Sequence, residues 1–326
     1  MSYLISIDAG MAQTKFAYVN QRTNAIEVDL FQTICAEYEP TTLEKPECVV
    51  TYDGREYVIG DSEYQHSLPR ENTKLTEMHQ LCVFTAIGKS LIALNANITQ
   101  TLSVNICLNV PLEEFRSSER AAEYAANYKG STIAIEINGT LVRFVIDDVT
   151  LNYEGQGAIF HACQQDESLK TGLVCLTDIG GFNDTSIALS SLRPVKGGNR
   201  AMSNGVLRLF YNVACELSQN PANGRLTKFD VERMSKGEHD FIAQGFHEVY
   251  HREAKKLVHE IKENAMNNTT APSQTRFIFS GGGSQALATE IREAFRGYDV
   301  MILQDSQFDN CLGMLEYALY KEGQQA

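Results

Sequence analysis

The 326-residue chain is most informative at first through what it lacks. It has no run of roughly 18 consecutive apolar residues, the minimum for a membrane-spanning helix, so no membrane association is expected. Its N-terminal stretch, Met1-Ser2-Tyr3-Leu4-Ile5-Ser6-Ile7-Asp8, carries no basic region and meets a carboxylate too early for a secretory signal. The eight cysteines form no CxxC pair and sit mostly in apolar runs such as Val174-Cys175-Leu176, which predicts reduced core thiols in a cytoplasmic protein. Basic residues are outnumbered, with 28 Lys and Arg against 41 Asp and Glu for a net charge of −13. Direct nucleic-acid binding draws on phosphate neutralisation by Lys and Arg, so any DNA contact is expected to run through a basic partner. Two common nucleotide signatures are also missing: there is no GxxxxGK[ST] P-loop and no GxGxxG.

What is present is a pattern that occurs twice. An apolar strand ends in an aspartate at Ser6-Ile7-Asp8-Ala9-Gly10, and Lys15-Phe16-Ala17-Tyr18-Val19 resumes as a return strand. The arrangement restarts 170 residues later, with Leu173-Val174-Cys175-Leu176-Thr177-Asp178, then Ile179-Gly180-Gly181, then Thr185-Ser186-Ile187-Ala188-Leu189. That spacing is far beyond solenoid periods and indicates duplicated domains. The length suits two lobes. A third glycine-rich turn, Ser280-Gly281-Gly282-Gly283-Ser284, follows the apolar run Phe277-Ile278-Phe279 and precedes a helix expected from Gln285.

A tight glycine turn lets backbone N–H groups approach phosphate oxygens, a nearby lysine adds charge, and a strand-end carboxylate can hold hydrated Mg²⁺. One Asp-Gly turn alone is usually only a turn. Two such hairpins and a third loop can enclose a nucleotide.

The remaining pattern is coarser. Asp53-Gly54 marks a hairpin within 49–59, residues 81–94 read as a helix, 102–110 as a buried strand and 113–128 as an exposed charged helix. Val206, Leu209, Phe210, Val213 and Leu217 have helical spacing, with Ser203 or Asn204 available as cap. Ile242, Phe246, Val249, Leu257 and Ile261 mark a long amphipathic helix. That helix contains a literal HExxH, His247-Glu248-Val249-Tyr250-His251, which in isolation would suggest a zinc peptidase. The flanking Arg252-Glu253 and Lys255-Lys256, with no obvious third-ligand motif beyond Glu260 and Glu263 as candidate ligands, favour a surface helix.

Taken in order, these motifs resemble the actin and Hsp70 superfamily, and more closely the bacterial plasmid-segregation actins of the ParM/StbA family. The resemblance also rests on Leu108-Asn109-Val110-Pro111-Leu112-Glu113-Glu114-Phe115, on Tyr153-Glu154-Gly155-Gln156-Gly157-Ala158, and on Ser306-Gln307-Phe308-Asp309 with Gly313-Met314. It implies an actin-like α/β fold of two ribonuclease-H-like domains, 1–163 with 303–326 and 164–302, and a nucleotide in the inter-lobe cleft.

The resemblance further implies an Mg²⁺-dependent ATPase, with GTP open as an alternative, that polymerises and couples to plasmid DNA through a basic adaptor. Asp8 and Asp178 would organise the metal, Glu154 would orient the attacking water and Lys15 would contact phosphate. Gly10, Met11, Ala12 and Gln13 would line the first phosphate turn. Gly180, Gly181, Phe182 and Asn183 would line the second, and Gly281, Gly282, Gly283 and Ser284 the third loop. Two departures from the family pattern matter. Met11-Ala12 replaces the usual hydroxyl or amide side chains and leaves the grip to the backbone. In the second loop the acid is shifted by one place to Asp184, which on a strand turns it to the other face. A small-molecule kinase or a non-polymerising regulatory ATPase of the same superfamily is the alternative.

Overall fold

The computed structural model describes residues 2–39, 46–61 and 74–325; the chain ends, residues 1 and 326, lie outside them. The chain forms two compact units, one of residues 1–161 with 310–326 and one of residues 162–309. The second unit thus runs past residue 302, where sequence reading ended it. The reason is local: Asp299–Ile302 is a strand of that unit's sheet, the Leu303 N–H donates to the Phe279 carbonyl and the Gly281 N–H to the Ser306 carbonyl.

The first unit contains the strands Ser2–Ala9 (β1), Gln13–Val19 (β2), Ile26–Gln32 (β3), Cys35–Glu37 (β4), Val49–Tyr52 (β5), Arg55–Ile59 (β6), Leu102–Val110 (β7), Thr132–Ile137 (β8) and Thr140–Tyr153 (β9). They form one sheet in the order β3-β2-β1-β7-β9-β8-β5-β6-β4. The helix Glu77–Ala93 (α1) packs on it, capped by Thr76, whose hydroxyl accepts from the His79 N–H. The expected helix over 113–128 is two, Leu112–Arg116 (α2) and Ser118–Ala126 (α3). They break at Ser117, whose extended backbone and side chain cap the second. Gln156–Gln165 (α4) leaves the end of β9.

In the second unit, Leu173–Ile179 (β10), Asp184–Ser190 (β11), Arg193–Met202 (β12), Thr275–Ser280 (β13) and Asp299–Ile302 (β14) form a sheet ordered β12-β11-β10-β13-β14. Its helices are Val206–Leu217 (α5), Lys228–Lys236 (α6), Phe246–Asn267 (α7), Gly282–Ala286 (α8) and Ala288–Ala294 (α9). Asp309–Gln325 (α10) closes the chain. The long helix begins at Phe246, leaving Ile242 about half exposed ahead of it. It buries Leu257, Val258, Ile261 and Ala265 against Leu209, Phe210, Val213 and Leu217 of α5.

The two units repeat one topology. In each, three antiparallel strands (β3-β2-β1 and β12-β11-β10) are followed by two strands parallel to the first (β7-β9 and β13-β14). β1 buries Ile5, Ile7 and Ala9 and β10 buries Val174, Cys175, Leu176 and Ile179, adjacent positions included, as strands covered on both faces require. No helix among the described residues is long and apolar enough to cross a membrane. The cysteines are free thiols, and most are buried as expected, but Cys215 lies on the exposed side of α5.

Candidate functional site

The first hairpin turn is closed by a hydrogen bond from the Gly10 N–H to the Gln13 carbonyl at 3.1 Å, and the second by the Gly180 N–H to the Asn183 carbonyl at 2.8 Å. The two hairpins correspond residue for residue in register: Asp8 pairs with Lys15 and Asp178 with Thr185. A Cβ on Gly10 would lie 2.9 Å from the Gln13 carbonyl oxygen, which explains the glycine there. Carbonyls in both turns, which would repel a phosphate, are engaged by the protein. Thr33 donates from its hydroxyl to Gly10 and from its N–H to Ala12, while Gly205, Val206 and Leu207 donate from their N–H groups to Phe182, Gly180 and Gly181.

That second set corrects the cap expectation. The first N–H groups of α5 are satisfied by the turn, and the N-cap is Gly205, with no side-chain bond. Gly205 is required because a Cβ would overlap the Gly181 and Phe182 backbone.

In the first unit, Asp8 sits at the end of β1 and is almost fully buried. Asn109, at the matching end of β7, donates its Nδ2 to Asp8 Oδ1 at 2.8 Å, and Lys15 Nζ lies 3.5 Å from Asp8 Oδ2. Lys74 Nζ donates to Asn109 Oδ1 at 2.8 Å and pairs with Glu154 Oε1 at 3.0 Å. Burial alone would raise the Asp8 pKa, but Lys15, Lys74 and the Asn109 amide outweigh it and hold the carboxyl below its ordinary value. The result is a polar row, Asp8-Asn109-Lys74-Glu154, at the C-terminal ends of parallel strands, where open α/β sheets bind ligands. It joins three residues singled out in the sequence, Asp8, Lys15 and Glu154, with two that were not assigned roles. Asn109 could have been suspected as a polar residue ending a buried strand. Lys74 has no motif around it and enters only through tertiary folding.

In the second unit, Asp178 ends β10 beside Ser280 of β13. The third loop packs directly on it: a Cβ on Gly281, which has φ +81°, would collide with Asp178 Oδ1 and the Ile179 carbonyl, and one on Gly283 would strike Ile179. The helix begins at Gly282, earlier than the expected Gln285. Ser284 caps back through its hydroxyl to the Gly281 carbonyl at 2.8 Å. The 306–309 segment supports this loop, since the Ser306 carbonyl accepts from Gly281 and the Gln307 side chain lies against Gly282.

Asp184 occupies the place held by Thr14 in the first hairpin. It is fully buried and accepts from Asn264 Nδ2 at 2.6 Å. Burial pushes its pKa up to about 6 despite Asn264 and Asn204. Of the HExxH pair, His251 directs its Nδ1 at Glu290 of α9, 2.7 Å away, and His247 stacks edge-on with Phe246. No group of three His, Cys, Asp or Glu arranged to hold a metal is found among the described residues.

Residues 6–157 match the N-terminal domain of actin-like proteins. A comparison with curated proteins finds no match. Solved structures similar over nearly their whole length include the Alp12 filament (23% identity, 98% of this chain and 99% of that one, TM-score 0.70). A 15-stranded ParM filament from Clostridium botulinum is 18% identical with the same coverage and a TM-score of 0.74. ParM from Bacillus thuringiensis with ATP is 13% identical, again with that coverage, at a TM-score of 0.75.

Proposed function

We propose that this chain, an actin-like protein by its fold and its N-terminal domain, binds and hydrolyses ATP and assembles with copies of itself into filaments that segregate plasmid DNA. The observation that carries the reading is the ionised, buried Asp8 within the Asp8-Asn109-Lys74-Glu154 row, beside a phosphate-type turn whose counterpart recurs at Asp178.

Backbone groups of 10–13 and 180–183 would take the phosphates, with Lys15 adding charge, and the loop at 281–284 would take the nucleoside. Asp8 and Asp178 offer hard carboxylate oxygens of the kind Mg²⁺ accepts through its waters, and the lysines around Asp8 keep that carboxylate charged. Bound there, Mg²⁺ would supply neutralisation of phosphate charge. Glu154, anchored by Lys74, would accept a hydrogen bond from the attacking water and orient it, which is most of what phosphoryl transfer asks of a protein. The net charge of −13 suits coupling to DNA through a basic adaptor.

Light scattering after adding Mg-ATP tests this. The expected result is a rise followed by decay as nucleotide is consumed. Flat scattering well above micromolar protein, with phosphorylation of a small molecule, would replace the reading with a kinase.

A further inference from the structure

The polar row at the strand ends has a neighbour that the scheme above leaves unused. Asn152, next to last in β9, is 1% exposed. Its register partner on β7 is Asn109, and register partners on adjacent strands share a sheet face, so Asn152 extends the line Asp8-Asn109 by one strand. The ladder continues through the Glu154 N–H, which donates to the Val110 carbonyl at 2.9 Å. The two-residue period therefore puts Glu154 on the face of Asn152.

Asn109 has its amide matched on both sides, donating to Asp8 and accepting from Lys74. Asn152 does not. Neither its Oδ1 nor its Nδ2 has a partner among the described residues. Buried amides are matched by protein or by ordered water almost without exception, and an amide with both ends open is suited to a water that needs a donor and an acceptor.

Resting on the ATPase reading, we propose that Asn152 is a positioning residue for the hydrolytic water, holding it through Oδ1 and Nδ2 while Glu154 orients it. In the reaction the water oxygen bonds to the terminal phosphorus as the bond to the bridging oxygen breaks. The bridging oxygen keeps the electron pair, and the water proton passes to the Glu154 carboxylate. Asn152 exchanges no proton.

The test uses the full chain as wild type, Asn152→Leu and Asn152→Ser. Leucine keeps the branching of asparagine at Cγ but is larger and removes both polar groups; serine keeps a donor and an acceptor and leaves room for a water. For Asn152→Leu, kcat is expected to fall about 10- to 100-fold with KM for ATP unchanged. Asn152→Ser should recover most of the rate. A wild-type kcat in Asn152→Leu or a raised KM alone would overturn the inference. If the leucine variant does not fold, Asn152→Ala, which cannot clash, is compared with serine in its place. Wild-type protein that neither binds nor turns over ATP would sink the functional reading itself, before any variant is made.

Discussion

Asp184 shows how a single carboxyl can be read on both sides of folding. Buried with Asn264 at 2.6 Å, its pKa is lifted from 3.8 to about 6. A raised folded-state value means that its stabilising contribution is present in full below pH 3.8 and is lost as pH rises through about 6. Asp184→Asn keeps the shape and removes the charge. Relative to wild type it should gain stability as pH rises from about 4 to above 6, with the difference vanishing at the acid end; denaturant titrations at several pH values measure this. An unchanged or opposite difference would mean that Asp184 is not the buried charge described. Since its carboxyl turns inward, Asp184→Asn should leave hydrolysis near wild type, whereas Asp178→Ala, removing the carboxylate under Gly281, should abolish it; steady-state phosphate release separates the two. The places of Asp8 and Asp178 at the ends of β1 and β10 were legible in the sequence because an acid ending an apolar strand before glycine is a local pattern. The period of two turned Asp184 to the other strand face, but did not show that this face is the buried one. Lys74 was not legible, because its partners Asn109 and Glu154 lie 35 and 80 residues away in the chain and no short-range feature marks them.

Among the elements, the crossing of α4 and α10 is set by two glycines. A Cβ on Gly157 would overlap the Asn310 carbonyl oxygen and one on Gly313 would overlap the Gly157 carbonyl oxygen, while Asn310 Oδ1 accepts from the Ala158 N–H at 3.4 Å. Glycine inside a helix ordinarily costs roughly 0.5–1 kcal/mol relative to alanine, so alanine at an unobstructed position would stabilise. Here the sign should reverse. Gly157→Ala and Gly313→Ala are each expected to destabilise by about 1–3 kcal/mol through overpacking, and the double variant by less than the sum, because the first separates the helices for the second. Stabilisation by either single variant in urea titrations would contradict the close crossing. Helical spacing could identify α5 and α7, but not what satisfies the start of α5. Ser203 and Asn204 are good caps by residue type, yet the first N–H groups are taken by carbonyls of a turn about 25 residues earlier. Competition between a local side chain and a distant backbone is decided by tertiary folding, which a local pattern does not encode.

At the scale of the molecule, the duplicated strand order could be anticipated from the repeated Asp-Gly hairpins, since the same local signal recurs at the start of each sheet. The continuation of the first sheet through β8, β5, β6 and β4 could not. The Asn138-Gly139 turn, with φ of 49° and 83°, announces a hairpin but not the sheet it joins. The acidity of the whole chain carries its own consequence for assembly. Copies each bearing −13 repel over about 30 Å at 0.01 M salt and only about 8 Å at 0.15 M. If filaments form through patches smaller than that field, the critical concentration for assembly with Mg-ATP should fall as monovalent salt rises across this range. Pelleting at fixed nucleotide and stepped salt measures it from the protein left in the supernatant. A critical concentration that instead climbs with salt would mean that opposite charges meeting across the contact outweigh the net repulsion, and would send the search for the assembly surface to ion pairs rather than to exposed apolar side chains such as Tyr211 and Tyr320.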